Sequence, residues 1–410
     1  MKKFLSFAFL FLLSFACLWA NTPAATPGSY TLVMEGFDWG PAASKVVLHD
    51  LKASKETTVA DFEVFVTRST SLGEIPAAQA SGKRTVVYTY SSDEKGNRVE
   101  NGPHLTLVLA VSPVNPLGSG IQYLRMGSGA SNVWIDYGVT VVHAKTGKTW
   151  NKESARVRPV VDEFDLKGKF THEGTTLTYG AFSPKKITAK APLIIWLHGG
   201  GEGGTDPTIA LMGNKAFNYA SPEIQTLFGE GAFVLAPQTP TFWMNAGEGM
   251  TRGKVNDIYN AAVFALIEDF VAKNPLVDPT RIYVGGCSNG GYMSLKLILE
   301  HPSYFAAGYI SALAYRKSDK GKGKISQMRA GKKQRRFVDQ SVLEREYQYA
   351  LQAGKKRRAA GLLRHCEGVR LPAHVQRLGQ FRGVLRDHGH LEGAHAVPAG
   401  GGLQAHLRFG

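Results

Sequence analysis

The chain has 410 residues, 43% of them hydrophobic and 10% aromatic, with a formal net charge of +15. That length allows two domains, one with a sizeable core, and that composition excludes a disordered polymer. With only three cysteines, Cys17, Cys287 and Cys366, the fold rests on its core and not on a disulfide framework.

The charge is localised. Residues 316–410 carry 21 Lys or Arg and 7 Asp or Glu, which leaves 27 and 26 for residues 1–315. A nearly neutral body excludes nucleic acid, an anionic membrane or an acidic polymer as its partner, because only the end of the chain supplies the attracting charge.

In chain order, residues 1–20 read as a leader. Lys2 and Lys3 start it, Phe4 to Trp19 are almost wholly apolar, and Ala20 offers a small residue for cleavage. The pattern predicts a secreted or periplasmic protein with no membrane span after cleavage. Cys17 makes a lipoprotein the alternative, against which the approach Ser14-Phe15-Ala16 stands.

Residues 29–160 are predicted to form an all-β sandwich. The short apolar or alternating runs are Tyr30–Met34, Ser44–His49, Phe62–Val66, Thr85–Tyr90 and Leu105–Leu109, separated by Gly, Pro, Ser and Asn. No catalytic motif falls among them, so a structural or spacer module is expected, with carbohydrate binding as the alternative.

Residues 165–315 change to strands alternating with helices. Leu193–Leu197 is a continuous apolar run, as a strand buried on both faces requires. Phe233–Ala236 and Ile282–Val284 are two more, and Tyr309-Ile310 is the core of another. Between the second and third, residues 256–273 place Ile258, Ala262, Leu266 and Phe270 on one helical face. This order predicts an α/β domain with helices on the faces of a parallel sheet.

The motif with chemical content is Gly286-Cys287-Ser288-Asn289-Gly290, between the third of these strands and a helix. Such a turn projects a serine Oγ above the sheet, and flanking glycines avoid clashes there. Ser288 is therefore the predicted nucleophile. His198-Gly199-Gly200-Gly201 follows the strand ending at Leu197. Its bare backbone N–H groups at Gly199 and Gly200, with that of Asn289, would form an oxyanion hole. No Lys-Ser or Lys-Thr follows the glycines, which excludes a phosphate loop. His198 precedes the nucleophile and is expected to be structural, and Cys287 to be a packed neighbour.

Three stretches carry a resemblance: Leu197 to Asp206, Ala236 to Pro240 with Trp243, and Gly285 to Met293. They resemble secreted bacterial esterases that carry an immunoglobulin-like N-terminal domain, near the feruloyl-esterase and polyhydroxyalkanoate-depolymerase-like branch of the α/β-hydrolases. Asp38 to Pro41 and the strand Lys45 to His49 resemble that family's N-terminal module. The likeness runs from about Ser29 to Tyr315. It implies an immunoglobulin-like sandwich before an α/β-hydrolase sheet, and hydrolysis of short acyl or aryl esters, small or polysaccharide-linked, without cofactor or metal. It also implies that Gly200 and Asn289 line the oxyanion hole and that Trp243 borders the acyl or alcohol pocket.

Residues 316–410 break the pattern. No four strongly apolar residues run together there, so no buried strand is expected, and Lys332–Arg336 and Lys355–Arg358 belong to a solvated tail. A serine nucleophile needs a base and an acid that follow it in this fold. His388, His390 and His395, with Asp387 and Asp339, are the residues available, and none stands in the Gly-His-Trp setting of the family. The abrupt change implies a reading frame that shifts close to Tyr315, leaving the esterase crippled as written. The alternatives are a genuine basic tail on a non-catalytic, anionic-polymer-binding scaffold, and a serine peptidase of the same fold. No aromatic residues interleave with the basic blocks to stack bases, which argues against nucleic acid.

Overall fold

The computed structural model describes residues 27–126, 129–247 and 257–313, together with the backbone of residues 337–339. Its first half is all β. The strands are β1 (Gly28–Phe37), β2 (Gly40–Leu48), β3 (Phe62–Ser69), β4 (Ser81–Arg84), β5 (Val86–Ser92) and β6 (His104–Leu109). After them come β7 (Ile121–Met126), β8 (Gly129–Trp134), β9 (Asp136–His143) and β10 (Thr149–Val157). One short α-helical turn, α1 (Ala77–Ala80), and two 3-10 turns at Val59–Asp61 and Pro116–Gly118 interrupt them.

Eight of these strands hydrogen-bond in the order β4-β3-β9-β10-β1-β2-β6-β5, and β7 pairs with β8 as a separate hairpin. The parallel pairing of β1 with β10 joins two four-stranded halves. Inward-facing Leu32, Met34, Val46 and Leu107 from one half share a core with Val64, Val66, Val139 and Val141 from the other. The period-2 alternation of β3, buried at Phe62, Val64 and Val66 and open between them, is what one buried face demands. Arg84 is 2% exposed and sits between the halves, donating to the carbonyls of Ala43, Ala110 and Leu117 and to Tyr137 Oη. Those bonds engage both terminal nitrogens of a guanidinium that burial would otherwise penalise heavily, while its Nε is buried without a partner.

The second half is a seven-stranded sheet. Its strands are β11 (Asp165–His172), β12 (Thr175–Phe182), β13 (Ala191–Leu197), β14 (Phe233–Gln238), β15 (Val277–Cys287), β16 (Ala307–Ser311) and β17 (Phe337–Asp339). Their order is β11-β12-β14-β13-β15-β16-β17. From β14 to β17 all neighbours are parallel, while β11 and β12 are antiparallel additions at one edge. The sequence reading missed β11 and β12, whose mixed burial lacks the continuous apolar run of a central strand. β13 shows that run, with all seven residues buried.

The helices of this half are α2 (Pro207–Gly213), α3 (Pro222–Gln225), α4 (Asn260–Lys273) and α5 (Asn289–Glu300). The helix expected over 256–273 begins at Asn260, and Ile258 is outside it and 45% exposed. Asp257 explains the start. Its Oδ1 accepts from Asn260 N at 3.0 Å, and its Oδ2 accepts from Lys296 Nζ of α5 at 2.7 Å, tying the helix entrance to its neighbour. Among the described residues no helix is long and apolar enough to cross a membrane.

The two halves share core. Trp196, Leu211, Met212, Phe217, Val234 and Ala236 of the α/β half join the cluster formed by the sandwich. Polar ties add to it, with Lys215 Nζ bonded to Asp38 Oδ1 at 2.8 Å and Trp134 Nε1 donating to Thr208 Oγ1 at 2.8 Å.

A strand does lie beyond residue 316: the backbone of β17 pairs parallel with β16, Asp339 opposite Ile310. Three residues are too short for a test that asks for four apolar ones in a row. The remainder of 314–410, including His388, His390, His395, Asp387, Cys366 and the basic blocks, lies outside the described residues, as does the leader.

Candidate active site

The strand order makes the site. β13 has β14 on one side and β15 on the other, so the chain leaves the sheet in opposite directions around it. Such a switch point opens a crevice at the carboxyl ends of the strands. In register, Leu197 of β13 stands beside Gly286 of β15. The glycine loop after Leu197 and the turn after Cys287 are therefore adjacent.

Ser288 sits on that turn with φ 53° and ψ −107°, a region that costs a non-glycine residue about 1–3 kcal/mol. Its surroundings hold it there. Ser288 N donates to Ser311 O at 2.8 Å, and Tyr292 N donates to Ser288 O at 3.1 Å. The two motif glycines are needed for contact. A Cβ on Gly290 would stand 2.0 Å from Leu197 O and 2.4 Å from His198 O, and one on Gly286 would stand 2.6 Å from Leu197 O.

Helix α5 starts at Asn289, so its first N–H groups have no acceptor within the helix and point their dipole toward the turn. The Asn289 side chain is occupied elsewhere, accepting from Met244 N at 3.2 Å. A Cβ on Gly200 would lie 3.8 Å from Asn289 Cβ, so the glycine loop and the helix start are in contact distance.

His198 sets the orientation of that loop. Its Nε2 accepts from Thr239 N at 3.1 Å, so Nδ1 carries the proton and donates to Gly199 O at 2.6 Å. Fixing the Gly199 carbonyl fixes the rest of its peptide plane, and in a trans peptide the Gly200 N–H points the opposite way. Burial holds the imidazole neutral, with its pKa pushed down to about 4. The ring is structural, not a base.

This predicts an acid sensitivity. The unfolded chain takes up the His198 proton as pH falls below about 6.5, and the folded chain resists until about 4. The stability is complete above 6.5 and is lost between those values, amounting to ~3 kcal/mol. Urea unfolding at pH 7.5 and 4.5 should show that loss, and His198→Gln should remove most of the difference.

Trp243 is fully buried, and its Nε1 donates to His198 O at 3.0 Å with the rings 5.0 Å apart. It packs beneath the glycine loop through His198, and a place beside an acyl or alcohol pocket stays an expectation. Cys287 is half-buried, and desolvation pushes its thiol pKa up, which suits packing and not a reactive thiolate.

Among the described residues no imidazole or carboxylate is hydrogen-bonded to Ser288. Of the acids considered, Asp339 has a backbone position, at the carboxyl end of β17, two strands from β15. Sequence reasoning missed two residues at the site, Glu202 and Asn132. Glu202 directly follows the glycines, a signal that was available. Asn132 lies 70 residues away in the sandwich and gave none.

Comparisons with known proteins follow this geometry. Residues 29–155 match the model of the esterase Ig-like N-terminal domain, and residues 243–316 match the prolyl oligopeptidase family. The chain has an α/β-hydrolase fold behind an esterase-type immunoglobulin-like domain. The chain is similar to a solved thermostable esterase, at 22% identity and a TM-score of 0.61, over 76% of this chain and 90% of that one. It is also 29% identical over 138 residues to feruloyl esterase B of Neurospora crassa, covering 33% of this chain. The alignment spans 43% of that curated relative, less than half its length.

Proposed function

We propose that this chain is an exported serine hydrolase of carboxylic esters that works through an acyl-enzyme on Ser288. The observation that carries this reading is the strained Ser288 turn set against the Gly199–Gly200 loop at the switch point of the sheet. Ser288 Oγ attacks the ester carbonyl carbon. The oxyanion that forms takes hydrogen bonds from the N–H groups of Gly200 and Asn289, donors fixed before the reaction and therefore worth several kcal/mol to the transition state. The alkoxide leaves with a proton, and water then releases the acid. Asp339 is our candidate for the acid of the triad, from its place at the end of the strand after β16. No base is recognisable further on in the sequence as written, which leaves the esterase crippled unless a shifted frame supplies one.

The names of the similar proteins, a feruloyl esterase and a thermostable esterase, support esters as substrates, and the sequence resemblance adds short acyl or aryl esters, small or polysaccharide-linked. The prolyl oligopeptidase match favours one second reading, a peptidase on the same scaffold. Initial rates with p-nitrophenyl acetate, p-nitrophenyl butyrate and methyl ferulate, beside the matching anilides, decide between them. Esters cleaved and anilides untouched support the esterase. The coding sequence from codon 308 onward, read in all three frames, belongs with that assay. A shifted frame encoding an apolar strand ending in Asp and a later Gly-His would locate the missing partners, and repairing it should raise the rate.

A further inference from the structure

The oxyanion loop is pinned from several sides. Gln238 Nε2 donates to Glu202 O at 2.9 Å and Glu202 N donates to Gly199 O at 3.3 Å, both within the α/β sheet domain. The other pins come from the sandwich. Asn132 of β8 donates through its backbone N–H to Gly201 O at 2.7 Å, and through Nδ2 to Glu202 Oε1 at 2.9 Å. Tyr123 of the same hairpin stands over Gly201, where a Cβ would meet its ring at 3.1 Å.

Glu202 is 5% exposed. Its Oε2 and the Oδ1 of Asn214 are buried without a hydrogen-bond partner, and both are close to the point where a Cβ of Gly199 would sit, at 2.7 and 3.5 Å. A carboxyl buried with no cation beside it and one oxygen without a partner is costly. Burial pushes the Glu202 pKa up, with its hydrogen bond from Asn132 acting against that. Glu202 is then a hydrogen-bonding buttress at the Gly199–Gly200 peptide, and Asn132 is what anchors it.

Resting on the ester-hydrolase reading, we propose that Asn132 and Glu202 form an interdomain strut that positions the oxyanion loop, so that the immunoglobulin-like domain is part of the working site. Both are positioning residues; neither touches the reacting atoms.

Hydrogen exchange and kinetics on the full chain at pH 8 test this together. Asn132→Asp exchanges the donor for an acceptor without removing an atom. It should speed exchange in the peptide spanning 198–206, leave β15 and α5 peptides unchanged, and lower kcat about tenfold with KM within twofold. Glu202→Gln keeps the acceptor for Asn132 and supplies a donor in place of Oε2, so it should keep the loop protected, whereas Glu202→Ala should not. If Asn132→Asp exchanges faster everywhere, the Glu202 pair decides through the loop peptide. Unchanged loop exchange in Asn132→Asp, or equal loop exchange in Glu202→Gln and Glu202→Ala, overturns the strut. A wild-type chain that hydrolyses no ester overturns the ester reading alone, because the exchange measurement does not depend on turnover.

Discussion

Once a restored reading frame supplies acid and base, Ser288→Ala is expected to lower kcat for p-nitrophenyl acetate by at least ~10⁴-fold while leaving the thermal unfolding midpoint in place. The reasoning separates two roles of one residue. The hydroxyl supplies the attacking oxygen, and no other described residue sits on a strained strand-to-helix turn beside the glycine loop. The backbone of the turn is held by Ser311 O and Tyr292 N, contacts that alanine keeps. The positive φ disfavours alanine and serine alike. A large fall in rate with an unchanged circular dichroism melt is therefore the expected pair of results. A melt that moved with the rate would mean that the side chain holds the turn.

Gly290→Ala is expected to destabilise the chain by roughly 4 kcal/mol and to abolish activity with it. Helix propensity alone gives the opposite sign, since alanine inside a helix gains about 1 kcal/mol over glycine. Packing decides. The new Cβ would stand 2.0 Å from Leu197 O and 2.4 Å from His198 O. Both are backbone atoms at the end of β13, and neither can swing away as a side chain would. Relief requires α5 to move off the sheet, which separates the N–H of Asn289 from the Gly199–Gly200 loop. Guanidinium unfolding measures the loss of stability, and ester turnover measures the loss of the site.

What the sequence disclosed follows from where its signals are local. Leu193–Leu197 and the Gly286–Gly290 motif are short contiguous stretches, so the buried strand, the turn and the chain order of the two loops were legible together. The five sandwich strands read from apolar runs are present too, as β1, β2, β3, β5 and β6. β8 and β10 were not, because their exposed and half-buried residues carry no strong alternation. The contribution of the sandwich to the site was illegible for a different reason. Asn132 reaches Glu202 across 70 residues of chain, and nothing local marks an asparagine that will meet a buried carboxyl. Trp243 is similar. Its sequence neighbourhood implied a pocket wall, and tertiary packing alone showed its contact with His198.

The central claim is that Ser288 is a nucleophile activated for acyl transfer. Incubation of the chain with diethyl p-nitrophenyl phosphate, followed by peptide mass spectrometry, tests it most directly. Attack by Ser288 Oγ on phosphorus expels p-nitrophenolate and leaves a diethylphosphoryl group on the serine. A single adduct is expected, on the peptide that contains Ser288, absent from Ser288→Ala. An unmodified Ser288 peptide, or an adduct that persists in Ser288→Ala, would contradict it.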